Sequence, residues 1–222
     1  MTNELIFAAQ ATLIALSTLI ALRLGKEALI AFICVQCILA NLFVIKQTTL
    51  CGLTATCADA FSIGAVLGLN LLQEYWCKET AKKTIALSFF ILIFYALVSY
   101  EHLAFVPHAE DSSHEAFCSV LSFAPRIIAA SFVVYAFVQY LDTIIYGFLK
   151  HALKGRYLAL RIGIATMLSQ LLDTVLFTFI GLYGIIANPW DIIVVSYLIK
   201  LAALGIALPF VTFAQKHTAH QK

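Results

Sequence analysis

Charge is what this sequence has least of. Aspartate, glutamate, lysine and arginine make up 12% of its 222 residues, about half the usual ~25%. The 14 basic and 12 acidic side chains nearly cancel to a net +2, so no broad positive field is present to attract nucleic acid. The P-loop pattern is missing, and any ATP-driven step would need another protein. A Gly-x-Ser-x-Gly elbow is also missing, and none of the six histidines falls deep in an apolar run. Those absences remove serine-protease, bis-histidine haem and zinc-protease readings. What the chain does have is apolar residues, 62% of the total, with a mean hydropathy of +0.95. No soluble fold of this length can bury so much apolar surface, whereas about seven helices of ~20 residues in a bilayer would absorb it. The composition predicts an all-α, polytopic helical membrane protein of about six to seven transmembrane helices, with no enzymatic role, no cofactor and no metal.

Seven apolar runs read as spans: Leu5 to Leu24, Ala28 to Ile45, Leu53 to Tyr75, Thr84 to Phe105, Ala124 to Leu149, Leu160 to Ile186 and Trp190 to Ala214. No Lys or Arg precedes the first run, so 5–24 is expected to be a retained extra N-terminal span and not a secretory signal. One long connection, 107–117, is acidic and histidine-bearing; a short tail, 215–222, follows the last span, and 1–222 reads as a single membrane domain. With seven spans, Arg23, Lys26, Lys78, Lys82, Lys83, Lys150, Lys154, Arg156, Lys216 and Lys222 all fall on one side. The opposite side has only Lys46 and Arg126. Cytoplasmic loops retain Lys and Arg, which places the N-terminus outside and the C-terminus in the cytoplasm. The six cysteines sit mostly in or beside apolar runs, where Cys34 and Cys37 read as small packing residues.

Ionisable groups at membrane depth are costly and read by default as functional. Here they are Asp59 and Glu74 in span three, Asp142 in span five, Asp173 in span six and Lys200 in span seven. Asp142 and Asp173 belong to an internal echo, since Gln139-Tyr-Leu-Asp142-Thr143 and Gln170-Leu-Leu-Asp173-Thr174 each lead to an aromatic, Tyr146 and Phe177. A short basic hairpin separates the copies, so they run antiparallel, as in the inverted repeats that meet at transporter substrate sites. Asp173 lies 12 residues beyond Arg161, about 18 Å of helix, which predicts a depth toward the cytoplasmic half. Tyr135, Gln139, Asp142 and Tyr146 recur at helical spacing, as do Thr166, Gln170, Asp173 and Phe177. Asp59, Ser62, Val66, Asn70 and Glu74 form a third stripe. Three such stripes predict a shared polar interior. The alternative for either acid is an ion pair with Lys200 or Arg161 that only fixes helix packing.

Laid out this way, the chain resembles the queuosine-precursor transporters, also called the vitamin uptake transporter family. The likeness runs from Ala40-Asn41-Leu42-Phe43-Val44-Ile45-Lys46 through Gly52-Leu53-Thr54-Ala55-Thr56 to Glu74-Tyr75 and Ala81-Lys82-Lys83. It continues through Arg126, Ser131, Gln139 and Asp142, then Arg161, Ser169-Gln170, Asp173-Thr174, Phe177 and Lys200. The chain departs from the family pattern where Asp59 and Asn70 exchange an acid and an amide, and where Cys77 replaces a glycine. The resemblance implies uptake of 7-deazaguanine bases or queuine across a bacterial inner membrane. It assigns the base to Asp142, Asp173, Gln139, Gln170, Asn41, Asn70, Tyr135 and Phe177, with Asp59, Glu74, Arg161 and Lys200 as coupling or counter-ion groups. A carboxylate accepts from the N–H edge of a guanine-like ring, an amide suits its carbonyl, and aromatic rings stack on its face. Expected partners are the small-molecule substrate and the lipid bilayer, not nucleic acid, with an energising ATPase module or a homo-oligomer as further options. Two other readings stay open: the substrate-binding subunit of an energy-coupling-factor importer, and a structural membrane protein without cargo.

Overall fold

A computed structural model describes residues 2–152 and 158–202, apart from the side chains at positions 74, 78, 139, 142, 143, 146, 150 and 158–162. The chain runs α1 (Asn3–Leu24), α2 (Lys26–Phe43), β1 (Gln47–Leu50), β2 (Leu53–Thr56), α3 (Asp59–Tyr75), α4 (Lys78–Leu103), α5 (His114–Leu121), α6 (Ala124–Ala152) and α7 (Leu158–Gly181). A further helix, α8, occupies 189–202. Five stretches among the described residues are long and apolar enough to cross a membrane: Asn3–Leu24, Lys26–Phe43, Glu79–Leu103, His114–Val138 and Gly163–Gly181. Their outer faces are oily, with Leu13, Leu16 and Ile20 on α1 and Phe90, Phe94 and Leu97 on α4 all exposed. Such a surface is stable only against lipid. The all-α polytopic architecture holds, and the protein is a multi-pass membrane protein.

The helix ends differ from the expected runs by a few residues throughout, and two of the spans are interrupted by non-helical chain. The run from Leu53 is not helical at its start: β1 and β2 form an antiparallel hairpin with Leu50 opposite Leu53. Cys51 (φ 51°) and Gly52 (φ 83°) make its two-residue turn, and positive φ at both central positions is what a tight, correctly twisted hairpin requires. Four threonines flank that turn, and β-branched residues favour a strand. The hairpin satisfies its own backbone groups, as any non-helical segment near lipid must. α3 therefore has only 17 residues. The sixth run ends at Gly181, not Ile186, because the chain turns at 182–187 with Gly184 at φ 78°. Arg126 donates to the carbonyls of Ile180 (3.4 Å) and Tyr183 (2.7 Å) there, filling acceptors that a helix end leaves open. α8 then starts at Pro189, which suits a first helical position because its missing N–H is not needed.

The acidic connection is shorter than 107–117, since α5 begins at His114. Asp111 accepts from both the hydroxyl (2.6 Å) and the N–H (2.8 Å) of Ser113 just before it. Those bonds hold the Asp111 carboxyl below the usual range. Among α1 to α7, α6 and α7 form the most extensive helix pair, as the short connection predicts. On the other side, α1, α2 and α3 close around Gly64 and Gly68. A Cβ at Gly64 would overlap the Gln36 side chain and Ile14 Cγ2, and one at Gly68 would lie 2.6 Å from Ile33 Cγ1. Small residues let membrane helices approach this closely. Gly64→Val is expected to lower the unfolding temperature in detergent by an amount equivalent to about 1–3 kcal/mol; an unchanged midpoint would contradict this packing.

Candidate substrate-binding cavity

A cavity of about 260 Å³ opens between the N-terminal helices and α6–α8. α2 contributes Cys37 and Asn41, α3 contributes Ser62 and Ala65, and α4 contributes Phe89 and Leu92. Ser131 and Tyr135 come from α6, Asp173 and Phe177 from α7, and Lys200 from α8. Its volume is slightly below the ~300–1,000 Å³ common for drug-sized ligands, which suits a small molecule. A smaller space of about 60 Å³ adjoins it, sharing Val44, Ala58, Ser62, Phe177 and Lys200 and adding Asp59, Thr56 and Ser196. That is room for a few waters, with polar groups to hold them.

The strongest interaction in the cavity wall is an ion pair. Lys200 Nζ lies 2.6 Å from Asp173 Oδ2 and donates to Thr174 Oγ1 at 3.0 Å. The Thr174 hydroxyl in turn donates a hydrogen bond to the Gln170 carbonyl at 2.8 Å. The two charged side chains remain 21% and 30% exposed, so the carboxylate is paired yet still presented to the cavity. Opposite, Asn41 donates to the Cys37 carbonyl (2.8 Å) and accepts from Ser131 at 3.4 Å. This fixes its amide across the gap between α2 and α6. Phe89 packs against both Phe132 and Tyr135, with ring centroids 5.2 and 5.1 Å apart, and Phe177 supplies a second aromatic wall. Asp59 accepts from Thr56 Oγ1 at 3.3 Å and also meets the Ser196 hydroxyl.

Toward the hairpin the cavity is closed by an apolar cluster of Val44, Ala58, Ile127, Leu182, Ile186 and Ile192. Polar contacts fasten the hairpin over this cluster. Gln47 donates to the Ile185 carbonyl (3.4 Å) and accepts from the Ala187 N–H (3.3 Å), and the Thr54 N–H reaches Asp191 (3.3 Å). From α1, Asn3 donates to the Thr49 carbonyl (3.0 Å) and Glu4 accepts from the Cys51 N–H (2.9 Å).

Residues 60–214 match the family described as "Putative vitamin uptake transporter". The chain belongs to this family. It is also 34% identical over 195 residues to a protein of Bacillus subtilis (strain 168) named "Probable queuosine precursor transporter", a match covering 86% of this chain and 85% of that one. No solved structure matches it.

Of the residues singled out from sequence, the structure gathers Asn41, Tyr135, Asp173, Phe177 and Lys200 around one cavity, with Asp59 in the adjoining space. Asn70 is not among them. It lies 11 residues beyond Asp59 on α3, within about 20° of the same helix face, and Val66, from the same proposed stripe, is 44% exposed. Gln170 meets the site through its backbone carbonyl. The side chains of Gln139, Asp142, Glu74 and Arg161 lie outside the described residues. Asp173 sits past the midpoint of the 24-residue α7, about 12 Å from its Gly181 end. It is therefore displaced toward the hairpin end of α7, which runs from Leu158 to Gly181. Phe89 and Ser196 were not anticipated, since they lie in apolar runs whose inward faces sequence periodicity leaves undefined.

Removing the cation strands a half-buried carboxylate. Lys200→Met is expected to cost about 1–3 kcal/mol, less than for a fully buried pair because both groups retain some water. Adding Asp173→Asn should return part of that loss. Thermal unfolding of the two single variants and the double variant in detergent measures the coupling, and strictly additive losses would contradict it.

Proposed function

We propose that this protein carries a 7-deazaguanine base, a precursor of queuosine, across the bacterial inner membrane. The observation that supports the reading is the grouping of an ion-paired carboxylate, a fixed amide and two aromatic walls around one small cavity. The 34% identity to a protein named as a queuosine-precursor transporter points the same way. Asp173 would accept the ring N–H groups, Asn41 and Ser131 would meet the polar edge opposite, and Tyr135 and Phe177 would stack on the ring faces. Asp142, Gln139 and Gln170 would complete the base edge from the paired helices. Lys200 would keep Asp173 ionised and yield part of its pairing when the base arrives. Asp59, beside the small polar space, is placed to exchange a proton with that pair, which makes it the coupling residue in this reading. Seven passes put the N-terminus outside and the C-terminus in the cytoplasm, with the hairpin and its apolar cluster forming the outer closure.

Cells unable to make queuosine, supplied with external deazaguanine bases, provide the test. Queuosine should enter tRNA only when the protein is present. It should fall by about ten-fold or more in Asp173→Asn, a loss of one charge-assisted contact, while the variant still accumulates in the membrane. Absence of queuosine from every precursor, in cells whose inserting enzyme is active, would overturn the substrate. Uptake that appears only alongside a partner ATPase would instead identify a binding subunit.

A further inference from the structure

A second cavity, of about 230 Å³, lies away from the first, where the basic ends of α2 and α4 meet. Lys26 and Lys83 stand on its walls, with Cys77 and Thr80 between them. Glu79 lines it as well, but its carboxylate is engaged by Lys82 at 3.0 Å. α4 begins here at Lys78, with the Cys77 sulfur 3.3 Å from the Thr80 hydroxyl, and the helix N-terminus adds to the positive potential. Arg23 lies one turn before Lys26, and Glu27, one turn before Ile30, lines the adjoining trough at its Lys26 end. The balance at this corner is positive.

Its inner wall is different. Ile30 and Leu87 belong both to this cavity and to a trough of about 400 Å³ between α2 and α4. Ala31, Cys34, Val35, Ile38 and Ile91 form the trough, which presents almost no polar surface. From Ile30 to Ile38 it follows α2 for about 12 Å, most of the ~15 Å depth of one hydrocarbon leaflet. The small side chain of Ala31 keeps it open, and Cys34 is held inward against Ser88 at 3.5 Å. A soluble anion would use the lysines and leave the trough to chance. A molecule with a phosphate at one end and a hydrocarbon chain running straight down from it uses both.

From this continuity we propose that the α2–α4 corner is a binding site for one anionic glycerophospholipid. Its headgroup phosphate meets Lys26, Lys83 and Thr80, and one acyl chain lies in the trough. The charges complement each other, and basic pockets between transmembrane helices recognise anionic headgroups by the same physics. The site is independent of the cargo and requires only that the protein sits in the bilayer.

Native mass spectrometry of the full-length protein in detergent, with phosphatidylglycerol and phosphatidylcholine of matched chains, tests this. Phosphatidylglycerol should be retained about ten-fold more than phosphatidylcholine, as expected for two lysines near a headgroup. Lys26→Gln/Lys83→Gln should abolish that preference, while Lys26→Arg/Lys83→Arg should keep it and control for folding. Ala31→Phe, which fills the trough, should reduce retention of both lipids. Equal retention of the two lipids by the unaltered protein, or a preference that survives in the Gln pair, would overturn the site. Competition by glycerophosphoglycerol without acyl chains as effective as the whole lipid would overturn the lipid assignment too.

Discussion

The Lys200–Asp173 pair is the interaction on which the cavity depends. Either charge alone at this depth would be costly, and the two together at 2.6 Å turn that cost into a constraint that joins α8 to α7. Thr174 takes the remaining reach of the ammonium and donates its own hydrogen bond to the helix backbone, so the polar groups of this wall are satisfied locally. The pair then holds one face of the cavity in register with Asn41 and Ser131 across from it. A packing role and a binding role do not compete here. The pair can position the carboxylate for a ligand because it first positions the helices.

The second constraint is that non-helical backbone near lipid must find its own partners. The hairpin meets it through its ladder and its turn, and through side chains from three directions: Asn3 and Glu4 of α1, Asp191 of α8, and its own Gln47 on the 185–187 turn. Beneath it lies the apolar cluster around Ile127 and Leu182. Glu4 and Asn3 give the N-terminal helix a purpose beyond spanning, because its first turn holds the hairpin's outer strand and turn. The oily corner between α2 and α4, with lysines at its mouth, belongs to the same economy of a chain whose solvent changes from water to hydrocarbon within a few residues.

Much of this was legible in the sequence, for identifiable reasons. Long apolar runs without charge have only one stable environment, so the membrane class and most helices followed from composition. The acids stood out because their cost inside lipid is high, and the antiparallel arrangement of α6 and α7 followed from a connection too short to allow anything else. The hairpin was missed because Leu53-Thr-Ala-Thr56 continues into an apolar helix, and hydropathy cannot separate a four-residue strand from the helix that follows it. Asn70 does not line the cavity described here, and a stripe at three- and four-residue spacing says which residues share a face, not how far along that face a cavity extends. The end of α7 was not legible either, because it is set by turn geometry at Gly184 and by Arg126 reaching back from α6, neither of which a periodicity reports.

In the proposed function this chain alone moves a deazaguanine base through the cavity bounded by Asp173, Lys200 and Asn41. Reconstitution of the purified protein into liposomes, followed by entry of a radiolabelled 7-deazaguanine base, tests this most directly. Saturable entry that excess unlabelled base suppresses, with no added ATPase, is the expected result. Entry no faster than in protein-free liposomes, from correctly folded and inserted protein under an imposed proton gradient in either direction, would contradict it.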